Sequence, residues 1–216
     1  MSFWDRIREP RIVRGALIVL AVLLLTGIAG AGGWVWYRAA ETRSRHAFAG
    51  IATLAQKLQE PGATAADRDR TIQALEVFIQ DHSRSSSIPQ AAYRLGNLRY
   101  EAGQYGPARG AFELALAKGA AGTLRTLCAV GAAYTWEAEK DYARADTAYQ
   151  AIIRTLGPKD FLYEELLTDL ARVQELAGDP KAAADTYQRL LREVPDTRRA
   201  DDIRSRLAAI ESRPQP

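Results

Sequence analysis

The side chains that could carry out chemistry are few and widely separated in this sequence. The two histidines, His46 and His82, have no second metal-ligating residue at a suitable spacing, so a zinc site is not expected. Cys128 is the single cysteine, and its apolar neighbours are typical of a small buried residue rather than of a nucleophile. The glycine cluster within 30–33 follows no strand and therefore does not form a phosphate loop. The sequence predicts a protein that is not an enzyme and that holds no metal or other cofactor.

The net charge of the 216-residue chain is small for its number of ionisable groups. It is +3 at neutral pH, from 29 basic and 26 acidic residues, and the residues before position 15 supply +2 of it. Because little excess of lysine and arginine remains to gather on one face, a nucleic-acid partner is not expected. Nor does any motif indicate a small-molecule substrate. A lone cysteine forms no intrachain disulfide, which is compatible with either redox compartment.

Three stretches, spaced 37 and then 38 residues apart, carry the same skeleton of small and aromatic residues. The small residues let two helices cross closely, and the bulky ones fill the gaps between them. A repeat of this length is one helix–turn–helix unit, which cannot cover its own apolar face and therefore stacks on its neighbours. The matching residues are Leu95, Gly96, Gly103, Tyr105, Ala108, Phe112, Ala115 and Leu116, then Ala132, Ala133, Tyr142, Ala145, Tyr149, Ile152 and Ile153, and finally Leu170, Ala171, Gly178, Ala183, Tyr187, Leu190, Leu191 and Pro195.

This skeleton resembles the tetratricopeptide repeat, most closely over residues 89–119 and less closely over 126–195. In the second stretch Lys140 stands where the turn glycine is expected and Ala133 replaces the first-helix glycine, while Pro180 takes the place of the turn tyrosine in the third. The resemblance implies a short right-handed superhelix of helical hairpins, with a concave surface lined by the first helix of each pair. No segment alternates with period two, which also favours an all-α fold.

Carrying the family's groove positions onto this sequence gives a candidate surface for proteins or extended polypeptides. Tyrosines, aliphatic side chains and a few charges suit such a ligand, because tyrosine offers broad contact and one hydrogen bond at little entropic cost. A clamp for a chaperone's terminal carboxylate is not expected, since only Asn97 matches its basic and amide residues. Trp136 occupies a core position of the family. The predicted groove residues are Gln90, Tyr93, Asn97, Tyr100, Leu127, Val130, Tyr134, Glu137, Glu165, Thr168, Arg172 and Glu175.

An uncharged run of 23 residues, from Gly15 to Tyr37, precedes the repeats. As a helix it would be roughly 34 Å long, enough to cross a bilayer core. Aromatic residues cluster at its end, as expected at the headgroup level. The competing interpretation is a cleaved signal peptide, with 17–28 as its apolar region. Four small residues would form a packing face for another membrane helix, and these are Gly27, Ala29, Ala31 and Gly33.

The predicted organisation has five parts. They are a short cytoplasmic flank (1–14), a transmembrane helix (15–37), a connector helix with a degenerate first repeat (38–88), three tetratricopeptide-like repeats (89–195) and a capping helix with a tail (196–216). Thr64 and Asp67 form a predicted capping box at the start of a helix within the third part. Further helices are expected near 89–102, 105–118, 123–138, 141–155, 160–177, 180–193 and 196–212.

An anchored array of this size is similar to the ancillary subunit of the bacterial Sec translocon, the YfgM-like family, and residues 33–38 leave the predicted span in a similar way. That resemblance implies a single-pass inner-membrane protein with a periplasmic domain, which binds emerging chains or passes them to periplasmic chaperones without ATP. Two alternatives remain open. One is a cell-envelope scaffold that links an inner-membrane complex to one defined periplasmic partner, and the other is a cytoplasm-facing recruiting platform.

Overall fold

The computed structural model describes residues 10–212, with side chains described at residue 20 and from residue 23 onward. Within this range the chain is helical and has no strand, which confirms the all-α prediction. It divides between Gly50 and Ile51 into two units, and the second contains all the repeats. The helices of the described range are α1 (Pro10–Lys57), α2 (Ala65–Asp81), α3 (Ile88–Glu101), α4 (Tyr105–Ala117), α5 (Gly122–Ala138), α6 (Tyr142–Ile153), α7 (Tyr163–Leu176), α8 (Pro180–Glu193) and α9 (Ala200–Glu211).

The first unit contains the part of α1 that ends at Gly50. Its large apolar side chains are exposed where they are described, among them Leu23, Trp34 and Trp36. The predicted small-residue packing face is exposed too, and a Cβ added at either of its glycines would meet no atom within 4 Å. The residues of that face are Gly27, Ala29, Ala31 and Gly33.

No helix of the described residues is both long enough and apolar enough to cross a bilayer. The span predicted over 15–37 is therefore not found among them, and the side chains of 15–19, 21 and 22 lie outside the description. Residues 1–9 of the predicted flank and 213–216 of the predicted tail also lie outside it.

The starts of α2, α6 and α8 follow local hydrogen-bonding signals that the sequence contains. The predicted capping box is present at α2, where the Asp67 backbone N–H donates to Thr64 Oγ1 at 3.2 Å and the Thr64 backbone N–H donates to Asp67 Oδ2 at 3.1 Å. Asp141 and Asp179 cap α6 and α8 in a simpler way, each accepting from a backbone N–H three residues on. These contacts satisfy donors that a helix start would otherwise leave unpaired.

The turn inside each repeat needs a residue with a positive φ, and this aligns the three repeats. Gly103, Lys140 and Gly178 occupy the position with φ of +74°, +60° and +80°. Lys140 therefore takes the place of the turn glycine, as the sequence predicts. A side chain in this left-handed region is strained, because its Cβ approaches the following carbonyl oxygen.

Two helices begin later than the sequence predicts. Helix α7 starts at Tyr163 because Asp160 closes a turn, accepting from the Gly157 backbone N–H at 2.6 Å. Helix α9 starts at Ala200 instead of near 196 because Thr197 is buried and donates from Oγ1 to Glu164 Oε1 at 2.6 Å. In both cases a side chain holds the backbone in a non-helical turn.

The second unit is built as a sequence of helical neighbours, each helix from α2 to α9 packing on the next. Two clusters of buried residues in the repeats meet along α5. The first consists of small residues around one large ring, with members Ala92, Ala108, Phe112, Ala115, Ala120 and Cys128. The second begins at Val130 and extends to Ile210, and its largest fully buried side chains are Tyr149, Tyr163 and Tyr187.

Candidate protein-binding surface

Helices α3, α5 and α7 are the first helices of the three repeats and carry the twelve predicted groove residues. α3 and α5 approach each other closely, whereas the backbones of α5 and α7 approach less closely. The physical reason is the size of the side chains between them. A Cβ added at Gly96 or Gly131 would lie 2.5 or 2.6 Å from the ring of Phe112, so this ring fits against bare backbone on both helices.

Between α5 and α7, long polar side chains span the wider gap. Arg172 donates to both carboxylate oxygens of Glu137, with Nη2 at 3.1 Å from Oε2, and to Asp169 Oδ1 at 2.8 Å. The Tyr134 hydroxyl donates to Asp169 Oδ2 at 3.0 Å and is shared with Glu165 Oε1 at 3.4 Å. Four predicted groove residues, together with Asp169, thus form one network in which each polar group has a partner within the chain.

A related arrangement recurs in the third repeat. The Tyr149 hydroxyl donates to Glu137 Oε2 at 2.7 Å, and the Tyr187 hydroxyl donates to Glu175 Oε1 at the same distance. Arg206 of α9 then lies 3.8 Å from Glu175, as Arg172 lies beside Glu137. Glu137 and Glu175 therefore tie the first helix of their repeat to its second helix and to the next element along the array. These contacts give both carboxylates a structural role.

Burial inside the network changes how its groups titrate. Desolvation raises the pKa of the Asp169 carboxyl above its ordinary value, and the nearby charge of Glu165 adds to this, while the hydrogen bond from Tyr134 opposes it. Burial also raises the pKa of the Tyr134 hydroxyl and, further, that of Tyr149. The tyrosines therefore remain neutral donors over the whole physiological range.

Other predicted groove residues are partly used in packing. Val130 is buried in the core, and the Tyr93 ring lies 6.0 Å from that of Phe112. The Tyr100 ring lies 5.4 Å from that of Tyr105. The Thr168 hydroxyl donates to the Glu164 carbonyl at 2.9 Å. Gln90 and Glu165 are exposed, while Tyr93, Asn97, Tyr100, Leu127 and Thr168 are half-buried.

A cleft of about 530 Å³ lies in the second unit between the end of α1, with the turn after it, and α3. Asn97 is the one predicted groove residue that lines it. Two glutamines, Gln56 and Gln59, face Asn97 across the cleft, and Arg94 and Glu101 lie on its α3 side. The remaining walls are apolar, formed by Ala52, Ala55, Leu58 and Leu98.

Sequence reasoning missed Asp169, Gly131 and the two cleft glutamines. The constant repeat spacing could have found the first two, because Asp169 and Gly131 occupy equivalent positions one repeat apart. Gln56 and Gln59 carry no such signal, since they lie at the end of α1 and in the turn after it, where the repeat pattern is too degenerate to align.

Trp136, predicted to lie in the core, lies at the edge of it. The ring is half-buried and packs against the second cluster. The guanidinium carbon of Arg109 lies 3.3 Å from the ring centroid and that of Arg144 lies 4.2 Å from it. Such stacking is favourable because the face of an indole is electron-rich, and here it joins α4, α5 and α6.

The described residues contain no group of three or more histidines, cysteines, aspartates or glutamates that could hold a metal ion. Cys128 is fully buried, and burial raises the pKa of its thiol to about 11. The thiol therefore stays protonated and packs as a small apolar group.

Comparison with known proteins gives one family match and several structural ones. The tetratricopeptide repeat family matches residues 165–197, which is the third repeat and not the stretch over 89–119 where the sequence pattern is closest. No curated protein sequence matches the chain.

Among the solved structures that share the fold are two of MamA. MamA from residue 41 to its end, from Desulfovibrio magneticus RS-1, is 14% identical with a TM-score of 0.55, and the alignment covers 74% of this chain and 81% of that one. The MamA RS-1 ArsTM double mutant is 12% identical with a TM-score of 0.53, covering 74% of this chain and 92% of that one. The chain therefore has a tetratricopeptide-like helical fold.

Proposed function

We propose that this protein is a non-enzymatic scaffold that binds other proteins through the surface formed by its stacked first helices. The observation that carries the proposal is the array itself, in which α3 and α5 lie side by side and continue into α7. Such arrays present extended surfaces made of many small contributions. Gln90, Asn97 and Tyr100 are accessible on this surface.

Site-specific photocrosslinking in cells tests this proposal. A photoreactive residue at Gln90 or Asn97 should give discrete, reproducible adducts with other proteins. The same residue at Glu113, which is exposed on the second helix of the first repeat, serves as the matched control and should not give those adducts. Identical adduct patterns from all three positions would refute the use of the first-helix surface.

The adducts also separate a scaffold from a chaperone-like subunit. A scaffold gives one defined partner, whereas a protein that assists export gives many newly made or unfolded chains. The scaffold is our preferred version, because the network that includes Glu137 and Arg172 fixes the spacing of the repeats and leaves little of this region free to adapt. The narrower role beside the Sec translocon, with transfer to periplasmic chaperones, rests on the resemblance of the anchored array and of residues 33–38 to the YfgM-like family.

We also propose that the array is held at the bacterial inner membrane on its periplasmic side. The support is the uncharged sequence from 15 to 37 and the exposure of Trp34 and Trp36 in the first unit. Membranes washed with alkaline carbonate should retain the full-length chain, and protease added to spheroplasts should digest the repeats. Release by carbonate would refute the anchor, and protection from protease would favour the cytoplasm-facing platform.

A further inference from the structure

Residues 34–50 of α1, which belong to the first unit, combine exposed aromatic rings with arginine side chains. Trp34, Trp36 and Tyr37 are each more than half exposed. Because successive helical residues are turned by about 100°, Trp36 projects nearly opposite Trp34, so the rings do not share one face. A partner protein would cover one face of the helix, whereas lipid surrounds it, and tryptophan and tyrosine are favoured at the headgroup level. The arrangement of the rings therefore favours lipid as the surrounding partner.

Two arginines follow the rings and form no ion pair within the part of the chain that the structure describes. The guanidinium carbon of Arg38 lies 4.2 Å from the centroid of the Trp34 ring. This stacking holds the guanidinium in place and leaves its N–H groups free to donate at their edges. Arg43 donates from Nε to the Ala39 carbonyl oxygen at 3.2 Å, which leaves its two terminal amino groups for another acceptor.

The other charges of this segment cancel each other. Arg45 Nε lies 3.2 Å from Glu41 Oε1, one helical turn earlier, and Glu41 is the single carboxylate in the sequence of residues 34–50. The unbalanced positive charge therefore resides on Arg38 and Arg43.

The chemistry of these two guanidinium groups indicates which lipid they select. A guanidinium pairs with phosphate oxygens through two parallel hydrogen bonds, and all phospholipids contain a phosphate. In a zwitterionic lipid the ammonium group of the same headgroup competes for that phosphate. An anionic headgroup has no such competitor, and its net charge attracts arginine at the membrane surface.

We infer that residues 34–50 bind phospholipids with an anionic headgroup, and that Arg38, stacked on Trp34, and Arg43 contact the phosphate. The inference rests on the proposed location at the membrane and goes beyond it, since an apolar helix alone does not distinguish one phospholipid from another. It also fixes the depth of the segment, because the rings and the guanidinium groups both require the headgroup level.

Spin-labelled lipids test the inference with the full-length protein reconstituted in phosphatidylcholine vesicles. Electron paramagnetic resonance measures how much labelled phosphatidylglycerol and how much labelled phosphatidylcholine the protein immobilises. Phosphatidylglycerol should be preferred by about fivefold or more, and about 1 M salt should reduce the preference because it screens the charges. Equal association of both lipids with a protein that resists carbonate extraction would overturn the inference and leave the anchor intact. Extraction of the protein by carbonate would refute both.

Two double variants then locate the contact. Arg38→Gln combined with Arg43→Gln should abolish the preference for phosphatidylglycerol, because it removes both unpaired guanidinium groups. Glu41→Gln combined with Arg45→Gln is the matched control, which removes one charge of each sign, keeps the net charge and should keep the preference. Circular dichroism checks that both variants are helical. An unchanged preference in the first variant, or an equal loss in both, would overturn the assignment to Arg38 and Arg43. Photocrosslinking from the repeats does not depend on these residues and tests protein binding separately.

Discussion

The junction between the first and second repeats and the junction between the second and third are built from different chemistry. At the first, which we call the apolar junction, the ring of Phe112 lies against Gly96 and Gly131. At the second, the ionic junction, Arg172 joins Glu137 and Asp169. The first junction also has an ion pair, between Arg109 of α4 and Glu139 at the end of α5, with the atoms 2.8 Å apart. The difference therefore lies between the first helices, where a buried ring fills one gap and paired charges fill the next.

Equivalent positions show how little sequence change separates the two junctions. One repeat later, Phe112 becomes Tyr149, whose hydroxyl donates to Glu137. Gly131 becomes Asp169, which cannot let a ring approach the backbone and is held by Tyr134 and Arg172 instead. The stability that a ring packed between glycines provides depends on van der Waals fit. The stability that the polar contacts provide depends on charge and on solvent access. The two junctions should therefore respond differently to truncation and to salt.

The largest effect should come from removing the ring at the apolar junction. Phe112 is fully buried at 1% exposure, and Phe112→Ala should lower the free energy of unfolding by about 3–5 kcal/mol, because small neighbours cannot fill the cavity. Urea denaturation followed by circular dichroism measures this. Tyr149→Phe at the ionic junction is the matched control, which keeps the ring and removes one hydrogen bond, and its cost should be only about 1 kcal/mol. Equal losses of unfolding free energy in the two variants would contradict the distinction between the apolar and the ionic junction.

The tight fit on the other side of the same ring gives the second prediction. Gly131→Ala places a Cβ about 2.6 Å from Phe112, and the resulting shift should cost about 1–3 kcal/mol although alanine favours the helix. Gly110→Ala, in helix α4 where the added Cβ meets no atom within 4 Å, should instead stabilise the protein by up to about 1 kcal/mol. Both values come from urea denaturation. The two changes in unfolding free energy should have opposite signs. Stabilisation by both substitutions would show that the Phe112 ring can move away from the added Cβ.

The ionic junction should be weaker and should depend on salt. A double-mutant cycle with Glu137→Gln and Arg172→Leu should give a coupling energy of about 1 kcal/mol, because the arginine side chain is 38% exposed and solvent screens the pair. Repeating the cycle in high salt should reduce the coupling. Phe112→Ala should cost at least as much under those conditions as in low salt. A coupling energy that does not change with salt would mean that the pair acts through packing alone.

The sequence predicted the fold better than it predicted the surface. Small and aromatic residues at constant spacing determine where helices cross, so the hairpins and the left-handed turn at Lys140 follow from local pattern. The family's groove positions named Glu137, Arg172 and Glu175 as ligand contacts, but a position on the first-helix surface does not reveal whether its charge is already paired. Pairing depends on side chains 31 to 35 residues away, in the next repeat or the capping helix. The contacts of Asp169 escaped prediction for the same reason, whereas the cleft glutamines lie where the repeat pattern is too degenerate to align.

The smallest effect concerns the turn that joins α5 to α6. Lys140 has a φ of +60°, where Gly103 and Gly178 stand in the neighbouring repeats. Lys140→Gly relieves the contact between Cβ and the carbonyl oxygen but frees the unfolded chain, so the net gain in unfolding free energy should be about 0.5–1 kcal/mol. Urea denaturation can resolve this gain, and Lys118→Gly, in the right-handed cap of α4 with a φ of −88°, is the matched control that should give no gain. If Lys140→Gly destabilises the protein, the lysine side chain makes a contact that offsets its strain. A gain confined to Lys140→Gly would instead show that the second repeat tolerates a strained turn, at a cost in unfolding free energy equal to that gain.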